Sequence, residues 1–137
     1  MRKNVVFHGI AAIVLFGLGF GTGLVAQTGS DSPQRVEQKR ADLSGAPGME
    51  VIASIAEYKS GQGNAVHSHH GVEAAYVIQG ARVVGMDQQE RTIATGSTIL
   101  NLRDVKHSGF KVVGDTSLKL FTVHIVDKGK PLYDYAN

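Results

Sequence analysis

An all-β sandwich or barrel is the fold class that this sequence predicts, on three observations. Short runs rich in Val, Ile and Thr recur every eight to twelve residues after position 48. Turn signals built on Gly, Asp and Gln separate them. No segment after residue 27 sustains a 3.6-residue period, so nothing there reads as an amphipathic helix. The 137 residues suffice for one domain.

The chain opens on a basic head, Met1-Arg2-Lys3-Asn4, followed by an uncharged apolar stretch from Val5 to Leu24. Leu24-Val25-Ala26 before Gln27 is a small-residue cleavage site, and residues 1–26 read as an export signal. The alternative is an uncleaved anchor, since the stretch is long enough to span a bilayer. Gly9, Gly17, Gly19, Gly21 and Gly23 weaken it as an isolated helix, although Gly17/Gly21 and Gly19/Gly23 suit close packing of membrane helices. Both readings place the folded part outside the cytoplasm: periplasmic or secreted if cleaved, membrane-anchored and facing outward if not. The head is Arg-Lys and not twin-Arg, which implies export as an unfolded chain.

Residues 27–44 are a polar linker that merges into an edge strand around Val36 to Leu43. The barrel is expected over 45–130. Its strands are Val51–Tyr58, Ala74–Ile78, Ala81–Met86, Arg91–Ala94, Thr98–Leu102, Phe110–Val113 and Ser117–Val126. Asp127-Lys128-Gly129-Lys130-Pro131 stops the last one, and 131–137 reads as a tail. Tyr76, Phe110 and Phe121 are expected in the core.

Composition excludes several functions. The formal net charge is +2, and Arg2 and Lys3 supply the whole excess. The sequence pI near 9.0 therefore argues nothing about nucleic acid, and no Lys/Arg-rich cluster offers a phosphate-binding face. With no cysteine, disulfides and thiolate metal sites are ruled out.

The chemistry concentrates in Gly61–Glu73. His67 and His69 are two apart, a spacing that puts both imidazoles on one face of a strand. Glu73 follows after a short turn and shares parity with them, as do Ala75 and Val77. Neutral imidazoles and a carboxylate suit a borderline divalent metal. His107, beyond a strand-like run that starts at Gly96, is available as a fourth ligand. Each has a plainer reading: His67 and His69 as surface histidines, Glu73 as a solvated turn residue or an acid–base group, His107 as a loop histidine. His70 breaks the parity and reads as a rim residue, with ligation in place of His69 as the alternative. His124 alternates with Leu118, Leu120, Thr122 and Val126. It is either a satisfied structural histidine or a weak catalytic candidate, as proton shuttle or support to a ligand. Arg103 and Lys111 flank His107; both read as solvated rim, and as weak candidates for meeting an anionic substrate.

These residues resemble the cupin superfamily. The family's first motif is G-x5-H-x-H-x3–4-E-x6-G, and Gly61, His67-Ser68-His69, Glu73 and Gly80 fit it without a gap. In the second, G-x5-P-x-G-x2-H-x3-N, Gly96 and His107 fit while Leu102, Asp104 and Lys111 replace Pro, Gly and Asn. The resemblance covers about residues 45–130. It implies a double-stranded β-helix, or jelly-roll barrel, and one divalent transition metal (Mn, Fe, Ni, Zn or Cu) on His67, His69, Glu73 and His107. It also implies frequent homodimers. Cupin activities include dioxygenases, oxalate-degrading enzymes, isomerases, lyases and binding modules, and the fold does not choose among them.

Four such ligands would leave two adjacent octahedral positions and a formal +1 charge, which favours an anionic oxygen ligand. The expected function is a metal-dependent enzyme of the dioxygenase, oxidase or lyase type acting on a small oxygenated molecule. A non-catalytic periplasmic binding or metal-handling module, and a structural dimerisation domain with a relict site, are the other readings. Metal loading outside the cytoplasm would favour Cu(II) or Zn(II) over Mn(II) or Fe(II).

Overall fold

The computed structural model describes residues 32–107 and 109–135. The export or anchor segment lies outside the described residues. Among those described, no helix is long and apolar enough to cross a membrane.

Among the described residues the fold has eleven strands: β1 (Arg35–Asp42), β2 (Met49–Tyr58), β3 (Gly63–Asn64), β4 (His67–Ser68), β5 (Gly71–Gln79), β6 (Ala81–Gly85), β7 (Glu90–Ile93), β8 (Thr98–Asn101), β9 (Phe110–Val113), β10 (Leu118–Asp127) and β11 (Asp134–Tyr135). They form a five-stranded sheet in the order β1-β2-β10-β5-β8, a four-stranded sheet β3-β9-β6-β7, and the pair β11-β4. All pairings are antiparallel. This is the double-stranded β-helix that the family resemblance implies.

Alternation builds the interior. β2 turns Glu50, Ile52, Ser54, Ala56 and Tyr58 inward, and β10 does the same with Leu118, Leu120, Thr122, His124 and Val126. The core between the sheets joins Ala56, Tyr58, Val77, Val83, Val112 and Leu118. Val77 and Leu118 are fully buried, and each such burial contributes about 1.5–3 kcal/mol. A smaller cluster of Ile52, Val126, Leu132 and Tyr133 closes the end of the barrel that carries the histidines.

Two departures from the sequence reading have local causes. Tyr76 and Phe121 are half-exposed and face out of the five-stranded sheet, because their neighbours Ala75, Val77, Leu120 and Thr122 take the inward parity. Only Phe110 packs against the core. The expected tail pairs instead, as β11 against β4. The residues after Lys130 therefore do more than trail: they hold two buried side chains and a strand.

Candidate metal centre

Three local features bring the histidines together. Gly61 and Gly96, the first residues of the two motifs, both adopt left-handed backbone, at φ 80° and 83°. Asp104, which replaces the family's glycine, is also left-handed at φ 58°, a conformation that Asp tolerates better than most residues. That turn lets the Asp104 amide donate to the His69 carbonyl at 2.9 Å and the His107 amide to the His67 carbonyl at 3.0 Å. His107 is thereby fastened beside His67 from a segment forty residues away.

The imidazoles are oriented by backbone carbonyls. Nδ1 of His67 faces the Ala65 oxygen at 2.7 Å, Nδ1 of His69 faces Leu132 at 2.6 Å, and Nδ1 of His107 faces Val105 at 3.3 Å. A carbonyl only accepts, so each Nδ1 carries a proton, and in the neutral ring Nε2 is left with a lone pair. The His67 and His107 Nε2 atoms are 2.8 Å apart. Two lone pairs at that distance repel unless a cation or a shared proton lies between them. His69 Nε2 is buried without a hydrogen-bond partner and belongs to the same group, whose atoms lie within 4.8 Å of one another.

Glu73 supplies the negative charge. Its Oε2 accepts a hydrogen bond from Asn101 Nδ2 at 2.7 Å and lies 3.3 Å from His69 Nε2. Its Oε1 lies 3.4 Å from Nε2 of the fully buried His124. Burial alone would raise the Glu73 pKa, but the contact with His69, the attraction of His124 and the Asn101 hydrogen bond hold it down to about 2. Burial lowers His67 to about 4, assisted by His107 and His69 and opposed by the Ala65 bond. Burial, together with His69, also lowers His107. At neutral pH His67 and His107 are therefore neutral and Glu73 is an ionised carboxylate, protonation states that suit metal binding. The donor set fits a divalent transition metal.

The four residues singled out from the sequence are brought together, and His124 joins them. The ligating atoms fall into two overlapping groups, His67/His69/His107 and His69/Glu73/His124. His70 stays at the rim, 3.4 Å from Asp104 and 3.9 Å from Asp134. Arg103 and Lys111 are not at the site. Arg103 is exposed and held by both oxygens of Asp127, and Lys111 points outward from β9.

A cavity of about 210 Å³ opens beside the site. His67, Glu73 and His107 line one end, with Asn64, Asn101 and Tyr133 near them. Ala56, Val83, Ile99, Leu118 and Leu120 make an apolar body, and Arg91, paired with Asp87, lies at its edge. A larger depression between Ala81, Ile93 and Asp115 contains no histidine. Asn101, Leu132 and Tyr133 were not legible as site residues. Asn101 is the last inward position of its strand, directly across from Glu73, a register that the sequence does not state. Leu132 acts through its carbonyl, which carries no sequence signal.

Comparison with known proteins agrees on fold. No protein-family profile matches the sequence, and no curated protein matches it at the significance applied. Many solved structures similar to it are cupin or double-stranded β-helix proteins. The polyketide cyclase RemF from Streptomyces resistomycificus is 16% identical over 72% of this chain and 81% of its own, with a TM-score of 0.50. The DMSP lyases RdDddP and RnDddQII match at 12% identity over 64% of this chain and 44% of theirs, also at 0.50. A cupin 2 conserved barrel domain protein from Salinispora arenicola matches at 17%, over 69% and 75%, with a TM-score of 0.48. At these identities the two matches at 0.50 carry the fold alone and nothing about substrate.

Proposed function

We propose that this chain is an exported, metal-dependent enzyme that acts on a small oxygenated, anionic molecule. The observation that carries the reading is the convergence of three Nδ1-anchored imidazoles on one point, with an ionised Glu73 beside it and an open cavity below. His67, His69, Glu73 and His107 are the ligands in this reading. A bound divalent ion would polarise a carbonyl, acidify a water, or hold substrate and dioxygen together. The chain's own residues do the rest. Carbonyls at 65, 105 and 132 hold the rings, and Asn101 and His124 hold the carboxylate. The apolar body keeps bulk water from the substrate's tail, and the anion is met at the site end, where Asn64 and Asn101 add hydrogen-bond donors. The class of reaction stays at dioxygenase, oxidase or lyase.

The apolar stretch from Val5 to Leu24 supports export, and with it a periplasmic, secreted or outward-facing anchored location. A homodimer belongs to the same reading. Val36, Tyr76, Leu100 and Phe121 are exposed on the outer face of the five-stranded sheet, whose central strand is β10. Two charge pairs at its ends are already made, Lys119 with Glu57 and Arg103 with Asp127.

The test is turnover. Protein loaded in turn with Fe(II), Cu(II), Ni(II), Mn(II) and Zn(II) is offered a panel of small hydroxy, keto and dicarboxylic acids. Dioxygen uptake and product formation are followed. Activity that disappears in His107→Ala supports the enzyme. Tight binding of an acid without turnover for any metal supports the non-catalytic binding module instead.

A further inference from the structure

We propose that Thr122 is a ligand-recognition residue, whose hydroxyl selects molecules that carry a second hydrogen-bonding group part-way along the cavity from the histidines. The proposal rests on the metal-site reading for the position of the ligand's oxygen headgroup, but its observations are separate.

Thr122 lines the cavity and is 2% exposed. Its Oγ1 is buried with no hydrogen-bond partner among the described residues. Its cross-strand neighbours do not supply one: Ala75 on β5 has no polar side chain, and Ser54 on β2 has its hydroxyl engaged by the buried Arg35 guanidinium. The surrounding wall is Ala56, Ala75, Leu118 and Leu120. A valine would fill this space equally well, and an unpaired hydroxyl in an apolar wall is unfavourable. The group is therefore kept for a partner that is not part of the chain.

Its position defines that partner. Thr122 and His124 share the inward face of β10 and are one strand repeat apart, roughly 6–7 Å. His124 pairs with the proposed ligand Glu73 and Thr122 with Ala75, so a headgroup seated beside Glu73 has its chain run past the hydroxyl about one strand repeat further along. A threonine hydroxyl both donates and accepts, so the matching group is a hydroxyl, carbonyl or amine. The ligand class is a short acid of about four or five carbons with a second polar function, roughly what a cavity near 210 Å³ accepts.

The test uses Thr122→Val in the full chain, with two readouts. Without ligand, the thermal midpoint of the variant is unchanged or a few degrees higher, since an unpaired buried hydroxyl is removed at constant shape. A drop of several degrees would mean that the hydroxyl has a structural partner and would overturn the proposal. For binding, Zn(II)-loaded wild type and variant are titrated with 4-hydroxybutanoate and with pentanoate. Wild type favours the hydroxy acid over pentanoate about tenfold more than the variant does, the ratio that corresponds to one hydrogen bond of about 1.4 kcal/mol. The same preference in both proteins, or no binding of either acid to zinc-loaded protein, overturns the proposal. Failure to bind zinc at all would instead remove the metal reading, and the thermal arm would then decide the role of Thr122 alone.

Discussion

His69 donates from Nδ1 to the carbonyl oxygen of Leu132 across 2.6 Å, and this bond joins the end of the chain to the centre of the site. The last strand adds a second link, since Tyr135 pairs with His67. The C-terminal segment thus behaves as a strap over two of the proposed ligands. Removing residues 132–137 frees the His69 ring and strips Leu132 and Tyr133 from their cluster. Metal affinity should fall roughly 10–100-fold, as for other supports of a ligating histidine. Stability should fall by about 3–5 kcal/mol from the two lost side chains. Competition with a chelator and urea unfolding measure the two effects; unchanged affinity would make the strap purely structural.

His124 touches Glu73 and not the open cavity. If it supports the carboxylate without binding metal, His124→Ala still binds one ion per chain, at affinity lower by about 10–100-fold. Complete loss of stoichiometric binding would instead make His124 a ligand in its own right.

Arg103 and Arg91 should separate cleanly. Arg103→Ala removes an exposed pair with Asp127 and should leave both metal affinity and thermal midpoint unaltered. Arg91→Ala breaks a similar exposed pair with Asp87, but at a residue that lines the cavity, and should alter the binding of small carboxylates without changing metal content. Calorimetric titration of both variants with one acid decides it.

Tyr58 gives the fold a sensitivity to alkali. Burial, with the charge of Glu73, pushes its phenol up to about 12, against hydrogen bonds from Ser32 and Asn64 that work the other way. The folded chain holds this proton more tightly than the unfolded chain, whose tyrosines titrate near 10. The contribution is complete below about pH 10 and is lost as pH rises towards 12, roughly 2–3 kcal/mol in all. Urea midpoints should fall across that interval in wild type and much less in Tyr58→Phe.

The legible part of this protein was the part written in alternation and spacing. Period-two patterning in Val51–Tyr58 and Ser117–Val126 delivered the two longest strands nearly to the residue. The Gly61–Gly80 spacing brought out His67, His69 and Glu73, and the distance from Gly96 brought out His107. What stayed hidden depends on contacts between distant segments. Tyr76 and Phe121 looked like core because aromatic residues in strands usually are, yet the inward parity was already taken by smaller neighbours. Arg103 looked like rim to the site because it is four residues from His107, but Asp127 draws its guanidinium outward. The closing strand after Pro131 is two residues long, too short for any pattern, and its hold on the site runs through main-chain atoms.

The central claim is that the histidine cluster holds a metal. Elemental analysis of protein purified without added metal, beside His69→Ala, tests it most directly. One transition-metal ion per chain in wild type, absent from the variant while its far-ultraviolet circular dichroism remains that of a β-barrel, is the predicted result. Wild-type protein that takes up no metal even after reconstitution would contradict it, and would leave three inward-facing lone pairs in need of another cation.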